Sequence, residues 1–409
     1  MKKSRVYINT DFYSYWLFFL AIFRKNFTKN FYLKLSFFLR TKNILLTSQG
    51  RVALYLIAKL LVSKNKRIFI TTPYTLTEAL NSIKYAGGHI KFVDINIETG
   101  LPDIDQLKKK IKVYGIANCS VLITHLYSSK KNILNFFNLF KKITIIEDTA
   151  INFGASINNK KLGTLSDYGF FSFGTMKNLC LFNGGMVYCK NKKDLTKIKN
   201  LENQMIKFPF IEFLKKIYLA FIIDIIYNKY VYNLFTNFIL VFVYKYNVKV
   251  ILKLIYPGLF PQNLNYIPPS YNYKFNNFTS EIGLKIISKI EADLIKRRIN
   301  AKLYHKFINN NKLIKKFNFS NFKENAFLEY PILCANYSKN KIIKILFKSG
   351  YDIRYKWYID NSKFFENNNY KNSLFLENNI LCLPTNKNFT EYDINEICRI
   401  INTVKIKTN

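Results

Sequence analysis

Two stretches of this chain carry residue types that chemistry can use. An apolar run, Ile143–Ile146, ends in Glu147-Asp148-Thr149-Ala150. Further on the chain reads Ser172-Phe173-Gly174-Thr175-Met176-Lys177-Asn178, closed by Asn183-Gly184-Gly185. A carboxylate at the end of one strand and a lysine in a glycine-containing turn after the next form the pair that pyridoxal phosphate (PLP) chemistry requires. The amine holds the aldehyde covalently, and the carboxylate keeps the pyridine nitrogen protonated so that the ring accepts electrons. Upstream, Ser48-Gln49-Gly50-Arg51 opens a helix near Val52, and backbone N–H groups at a helix N-terminus suit a phosphate. Singly, each element is weak, since a lysine is usually a solvated charge and a strand-end aspartate a turn residue. Their joint order gives them weight.

Such residues need a scaffold, and the flanking pattern supplies one. Short β-branched runs at Arg67–Thr71, Ile90–Asp94, Ser120–Thr124, Ile143–Asp148, Tyr168–Phe173 and Met186–Cys189 alternate with helical stretches such as Val52–Val62, Thr77–Ala86, Ile104–Lys112 and Asn132–Lys142. This rhythm predicts an α/β fold with a mostly parallel sheet sandwiched by helices. Ligands of such sheets collect beyond the carboxyl ends of the strands, where both stretches fall.

Composition bounds the rest. The 409 residues include 63 Lys+Arg against 25 Asp+Glu, for a formal charge of +38, with 49% hydrophobic residues. Disorder and disulfide scaffolds are excluded by this apolar content and by six scattered cysteines without a CxxC pair, which point to a reduced, cytoplasmic setting. Three distant histidines, His89, His125 and His305, predict no metal site. The charge reads either as genomic bias toward lysine and asparagine or as an anionic partner. No nucleic-acid motif accompanies it.

Beyond these readings, the chain resembles the DegT-type sugar aminotransferases, PLP enzymes of fold type I in the aspartate aminotransferase superfamily. The resemblance runs from about Ser48 to Val404. Gly50-Arg51-Val52-Ala53-Leu54 is similar to that family's Gly-Thr-x-Ala-Leu, Pro73-Tyr74-Thr75 to its Pro-x-Tyr-Thr turn, and Tyr85-Ala86-Gly87 with Phe92-Val93-Asp94-Ile95 to its corresponding runs. His125-Leu126-Tyr127, Gly154-Ala155, Gly163-Thr164, Tyr271-Asn272-Tyr273-Lys274, Ile282-Gly283-Leu284 and Leu383-Pro384 follow in the family's order.

The resemblance implies roles. Lys177 would hold the cofactor and shuttle the proton, Asp148 would pair with the pyridine nitrogen, and Ala150 would lie against the ring. Ser172 and the backbone at Gly50 and Arg51 would hold the phosphate, with Asn272 reaching it from a second subunit in a homodimer with shared active sites. His125 would stand near the cofactor or serve as a structural histidine. Lys274 replaces the family's usual Arg, keeping charge and losing the planar fork. Arg354 and Lys356 would face an anionic substrate or be solvated surface charge. Two positions depart from the pattern: Ile151 replaces a Gln or His donor to the cofactor's phenolic oxygen, and Leu76 replaces a stacking aromatic. Lys177 separates the chain from the family's dehydratase branch, which has His there.

Four regions are expected: a basic, aromatic arm over residues 1–40, a large PLP-binding domain over 41–206, an insertion over 207–262, and a connecting helix with a small C-terminal α+β domain over 263–409. The arm's apolar run Phe12–Phe23 is too short to span a bilayer. The insertion holds two further short apolar runs, Ile217–Tyr227 and Asn233–Tyr244, followed by Lys245, Lys249 and Lys253. They predict a helical hairpin resting on an anionic membrane or packed over the dimer or domain edge. The C-terminal part reads as helix Ile282–His305, strand Leu328–Leu333, helix Lys339–Ser349, a strand after Gly350, an Asn-rich loop near Asn361–Asn372, strand Ile380–Leu383 and helix Tyr392–Val404. The expected function is transfer of an amino group, from glutamate, to a nucleotide-linked keto-deoxysugar for surface polysaccharide. The alternative is a pseudo-enzyme acting as a membrane-associated binding or assembly partner.

Overall fold

The structure, a computed structural model, describes residues 2–7, 15, 27–246, 248–251, 266–319, 321–354 and 356–404. Its centre is a seven-stranded sheet built from β1 (Ile44–Thr47), β2 (Ile68–Thr71), β4 (His89–Phe92), β5 (Cys119–Thr124), β6 (Thr144–Asp148), β9 (Tyr168–Ser172) and β10 (Gly185–Cys189). The order is β1-β10-β9-β6-β5-β2-β4. The β4, β2, β5, β6 and β9 strands run parallel, and β10 lies antiparallel between β9 and β1. Strand β5 is buried at all six positions, as a central parallel strand covered on both faces must be. Helix Gly50–Ser63 shows why the elements close over the sheet: nine of its residues are buried, among them Val52, Leu56 and Leu60 at helical spacing.

Two small pairs stand outside this sheet, β3 (Tyr74–Thr75) with β13 (Ile359–Asp360) and β7 (Ser156–Ile157) with β8 (Lys160–Lys161). The C-terminal unit is an antiparallel sheet of β11 (Ile314–Lys316), β12 (Glu329–Cys334) and β14 (Ile380–Pro384), covered by helices Asn336–Lys348 and Glu391–Thr403. The long helix Ser280–Phe307 links it to the large sheet, and the N-terminal helix Thr28–Leu39 packs on that link through Phe31, against which a Cβ on Gly283 would lie 2.6 Å away.

Two expectations for the C-terminal part are corrected. The strand expected after Gly350 is only the two-residue β13, preceded by single bridges of Tyr351 with Lys3 and Arg354 with Cys382. The Asn361–Asn372 stretch is not a loose loop: it contains helix Ser362–Phe365 and the start of helix Lys371–Asn379. Asn361 is fully buried, its Nδ2 donating to the carbonyls of Pro73 at 2.9 Å and Thr75 at 2.7 Å. That side chain joins the two units, and asparagine composition alone conceals it.

The insertion forms helix Phe210–Ile226, a short turn, and a second helical stretch of three segments, Lys229–Val231, Tyr232–Thr236 and Asn237–Lys245. Asp224, the acid inside the first apolar run, accepts a 2.5 Å hydrogen bond from Tyr15 of the N-terminal arm. The rest of the run Phe12–Phe23, and the insertion from 252 on, lie outside the described residues.

Candidate active site

The chemistry-bearing residues gather at the carboxyl ends of β5, β6 and β9. Asp148 ends β6 and is buried. Its Oδ1 accepts from the Ala150 backbone N–H at 2.9 Å, while among the described residues its Oδ2 receives only a long 3.5 Å contact from Thr124 Oγ1. Burial raises its pKa, and the Ala150 N–H and the charges of Lys177 and His125 partly offset this. Lys177 follows β9 in a turn whose backbone N–H donates to Gly174 O at 3.2 Å. Burial is the first cause that lowers its amine to about 8, with Arg354 pushing the same way and Asp148 and Glu329 opposing. An amine titrating there is half neutral at pH 8, and the neutral form attacks an aldehyde carbon.

A second cluster lies beside this one. Helix Gly50–Ser63 starts without a side-chain cap, so its first N–H groups face outward from the helix unpaired by Gln49. It can approach β9 because residue 50 is glycine: a Cβ there would sit 2.8 Å from Ser172 Cβ. Gly185 likewise leaves room for the Gln49 backbone, which a Cβ would meet at 2.4 Å. Uncapped amides at a helix start beside Ser172 suit an anion.

These features fit pyridoxal phosphate: an amine for its aldehyde, a half-used buried carboxylate for its ring nitrogen, and a cradle for its phosphate. The residue set and the fold invite comparison with known proteins. The sequence pattern of one family, described as DegT/DnrJ/EryC1/StrS aminotransferases, matches residues 22–219 and 247–402. The chain belongs to that family.

Among curated relatives, the UDP-4-amino-4,6-dideoxy-N-acetyl-beta-L-altrosamine transaminase of Campylobacter jejuni is 22% identical over 302 residues, 72% of this chain and 65% of that protein. The GDP-perosamine synthase of Vibrio cholerae is 28% identical over 205 residues, 49% of this chain and 54% of that one. The chain thus spans between half and two thirds of these relatives' lengths. Among solved structures, the E. coli GDP-4-keto-6-deoxy-D-mannose-3-dehydratase with bound hydrated PLP superposes with a TM-score of 0.72 at 16% identity, covering 98% of this chain and 99% of that one. That likeness shows the PLP-transferase fold. The DegT-family match breaks off at residue 219 and resumes at 247, so the second insertion helix is an addition to the family pattern.

Within this DegT-family chain, the sites expected from sequence fall into three groups. Arg354 and Asp148 both act on the charge of Lys177, and Gly50 and Ser172 touch. Ala150 directs its N–H to Asp148, and Arg51 lies over the Tyr271 ring at 5.9 Å. Asn272 is exposed on a turn pinned to Ile206, and Lys274 lines a cavity of about 950 Å³ together with Tyr32, Leu46 and Glu202, a different face from Lys177. Ile151 is buried with Leu126, Trp357 and Tyr358.

His125 pairs with Glu147, the acid next to Asp148. It is buried, with Nε2 2.8 Å from Glu147 Oε2, and its Nδ1 has no partner among the described residues. Glu147 also accepts from the backbone N–H groups of Gly163, Leu165 and Ser166 at 2.9, 2.8 and 2.8 Å and from the Ser166 hydroxyl. It thereby ties the end of β6 to the turn before β9. Glu147→Gln is expected to lower stability by about 2–4 kcal/mol, because an amide nitrogen would face backbone donors in a buried place; a urea melt reads the loss.

Sequence reading missed Glu329, Trp357 and Tyr358. Arg354 Nε lies 3.2 Å from Glu329 Oε1, and Trp357 Nε1 donates to Glu329 Oε2 at 2.7 Å. Burial pushes the Tyr358 phenol up, and the Asp148 charge adds to this, so the ring is close to that carboxylate. The available signal was an acid opening the apolar run Tyr330–Cys334.

Proposed function

We propose that this protein is a PLP-dependent aminotransferase that moves an amino group from glutamate to a nucleotide-linked keto-deoxysugar used for surface polysaccharide. The observation that carries the reading is the pairing of buried Asp148 with the half-buried Lys177 at adjacent strand ends, with the amine lowered to about 8. Once bound, the cofactor supplies an aldehyde to accept nitrogen and a ring to delocalise electrons. The chain's own groups do the rest. Lys177 Nζ would hold the cofactor and, when free, would carry a proton. Asp148 would keep the ring nitrogen protonated, and Ser172 with the Gly50 and Arg51 amides would hold the phosphate.

Support for the sugar class comes from family membership and from relatives named for UDP- and GDP-linked sugars. A lysine at residue 177 favours amino transfer over dehydration. The pseudo-enzyme alternative gains no support, since Lys177 lies near enough to Asp148 to act on its charge. Incubating the protein with PLP, glutamate and UDP- or GDP-linked 4-keto-6-deoxysugars should release 2-oxoglutarate in a sugar-dependent manner. Release that ignores every keto sugar would refute the substrate class.

The exposed Asn272 turn supports a homodimer in which Asn272 and Lys274 serve the second subunit's site. The insertion supports a seat on the inner face of an anionic membrane. Among the described residues no helix is long and apolar enough to cross one. Yet Leu214, Tyr218 and Phe221 on the first insertion helix and Leu234, Phe238 and Phe242 on the second are exposed at helical spacing, with Lys215, Lys229 and Lys249 exposed nearby. Replacing Leu234, Phe238 and Phe242 by Ser in the full chain is expected to cut binding to phosphatidylglycerol vesicles at least about tenfold. Undiminished sedimentation with vesicles would contradict the membrane seat.

A further inference from the structure

Glu329 opens strand β12, 7% exposed, at the edge of an apolar core. Its two oxygens serve two residues of one loop, Arg354 and Trp357. That loop is anchored at both ends: Arg354 bridges to Cys382 of β14, and Tyr358 packs edge-on against Tyr74 at 5.8 Å just before the Asn361 joint. Met176, the neighbour of Lys177, lines the same small cleft as Glu329 and Arg354.

The manner of the pairing matters. Arginine and carboxylate paired as a brace close face to face with two parallel hydrogen bonds. Here Nε stands 3.2 Å from Glu329 Oε1 without forming a hydrogen bond, and this donor has no hydrogen-bond partner among the described residues. A partly buried pair of this kind adds little to stability. It does fix where the guanidinium stands.

We infer that Glu329 is a positioning residue of the Lys177 site: bridged to Trp357, it holds Arg354 beside the lysine and balances its charge until an oxyanion of the substrate engages the guanidinium. The oxyanion is a carboxylate of the amino donor or the diphosphate of the nucleotide sugar, an assignment that rests on the proposed aminotransferase reading. The charge effects agree in sign. Arg354 disfavours the protonated lysine, whereas Glu329 and Asp148 favour it.

The test is the pH profile of acetic anhydride labelling at Lys177, read by mass spectrometry on the cofactor-free full chain. In wild type the midpoint should lie near 8. Glu329→Gln removes a negative charge and should lower it by about half a unit to one unit, while Glu329→Asp, which keeps the charge, should stay near wild type. Glutarate or UDP, added separately, should raise the wild-type midpoint by neutralising Arg354, and should not do so in Arg354→Gln. The probe that acts names the source of the oxyanion. A Glu329→Gln profile that overlays wild type, or a wild-type profile that neither probe moves, would overturn the inference. Because labelling needs no cofactor, a protein that shows these shifts but never binds PLP would refute the aminotransferase reading alone.

Discussion

Lys177→Ala is expected to abolish the visible absorbance that PLP acquires on the protein and to reduce amino transfer to background, a loss on the order of a millionfold. The size follows from two tasks falling on one atom. Nζ supplies the covalent link, and after its release it is the base placed to move a proton, so no neighbouring group recovers half the function. The guanidinium of Arg354 nearby offers only hydrogen-bond donors and cannot act as that base. In the intact protein, capture of PLP should rise with pH and level off above about 8, not above 10, because burial and Arg354 lower the lysine amine. Stopped-flow absorbance between pH 6 and 10 reads both results. A variant that retains a tenth of wild-type turnover would remove Lys177 from the chemistry.

The second large effect is expected at Asp148. Asp148→Asn keeps the size and the hydrogen bond from the Ala150 N–H but removes the charge that would hold a ring nitrogen protonated. Amino transfer should fall on the order of a thousandfold while PLP still reaches Lys177, because the Ser172 cradle and the lysine are untouched. Burial raises the Asp148 pKa in the free site, and a cationic ring nitrogen beside Oδ2 should lower it again. Accordingly, wild-type activity should be lost as the pH falls through the carboxylate range, and the cofactor-bound protein should hold its charge to lower pH than the free one. Single-turnover kinetics with glutamate separates this chemical loss from cofactor binding. Turnover of the Asn variant within tenfold of wild type would contradict the role.

Much of this site was legible because its residues lie at the ends of predicted strands. Glu147-Asp148 closes β6 and the Ser172–Asn178 turn starts from the last residue of β9, and short apolar runs alternating with helical stretches announce both strands. The parallel sheet followed from the same pattern. The rest depended on contacts between distant segments. Glu329 and Arg354 are 25 residues apart in the sequence, and only the antiparallel pairing of β12 with β14 and the Arg354–Cys382 bridge bring them together. Asn361 looked like loop material because asparagine is abundant in this chain, and its burial at the joint depends on the carbonyls of Pro73 and Thr75. His125 showed the reverse case: the sequence left its role open, and four donors on the neighbouring turn and hydroxyl converge on its partner Glu147. The N-terminal arm gave no hint that Arg5 would pair with buried Asp352 on the C-terminal unit at 3.4 Å, since neither residue belongs to a local pattern.

The central claim is that Lys177 is the residue to which the cofactor attaches. The most direct measurement is borohydride reduction of the purified full-length protein after incubation with PLP, followed by digestion and mass spectrometry of every lysine peptide. The account expects one dominant pyridoxyl adduct, on Lys177, formed together with a visible absorbance band that disappears when glutamate is added before the reductant. An adduct spread over surface lysines, or none on Lys177 in protein saturated with PLP, would contradict it.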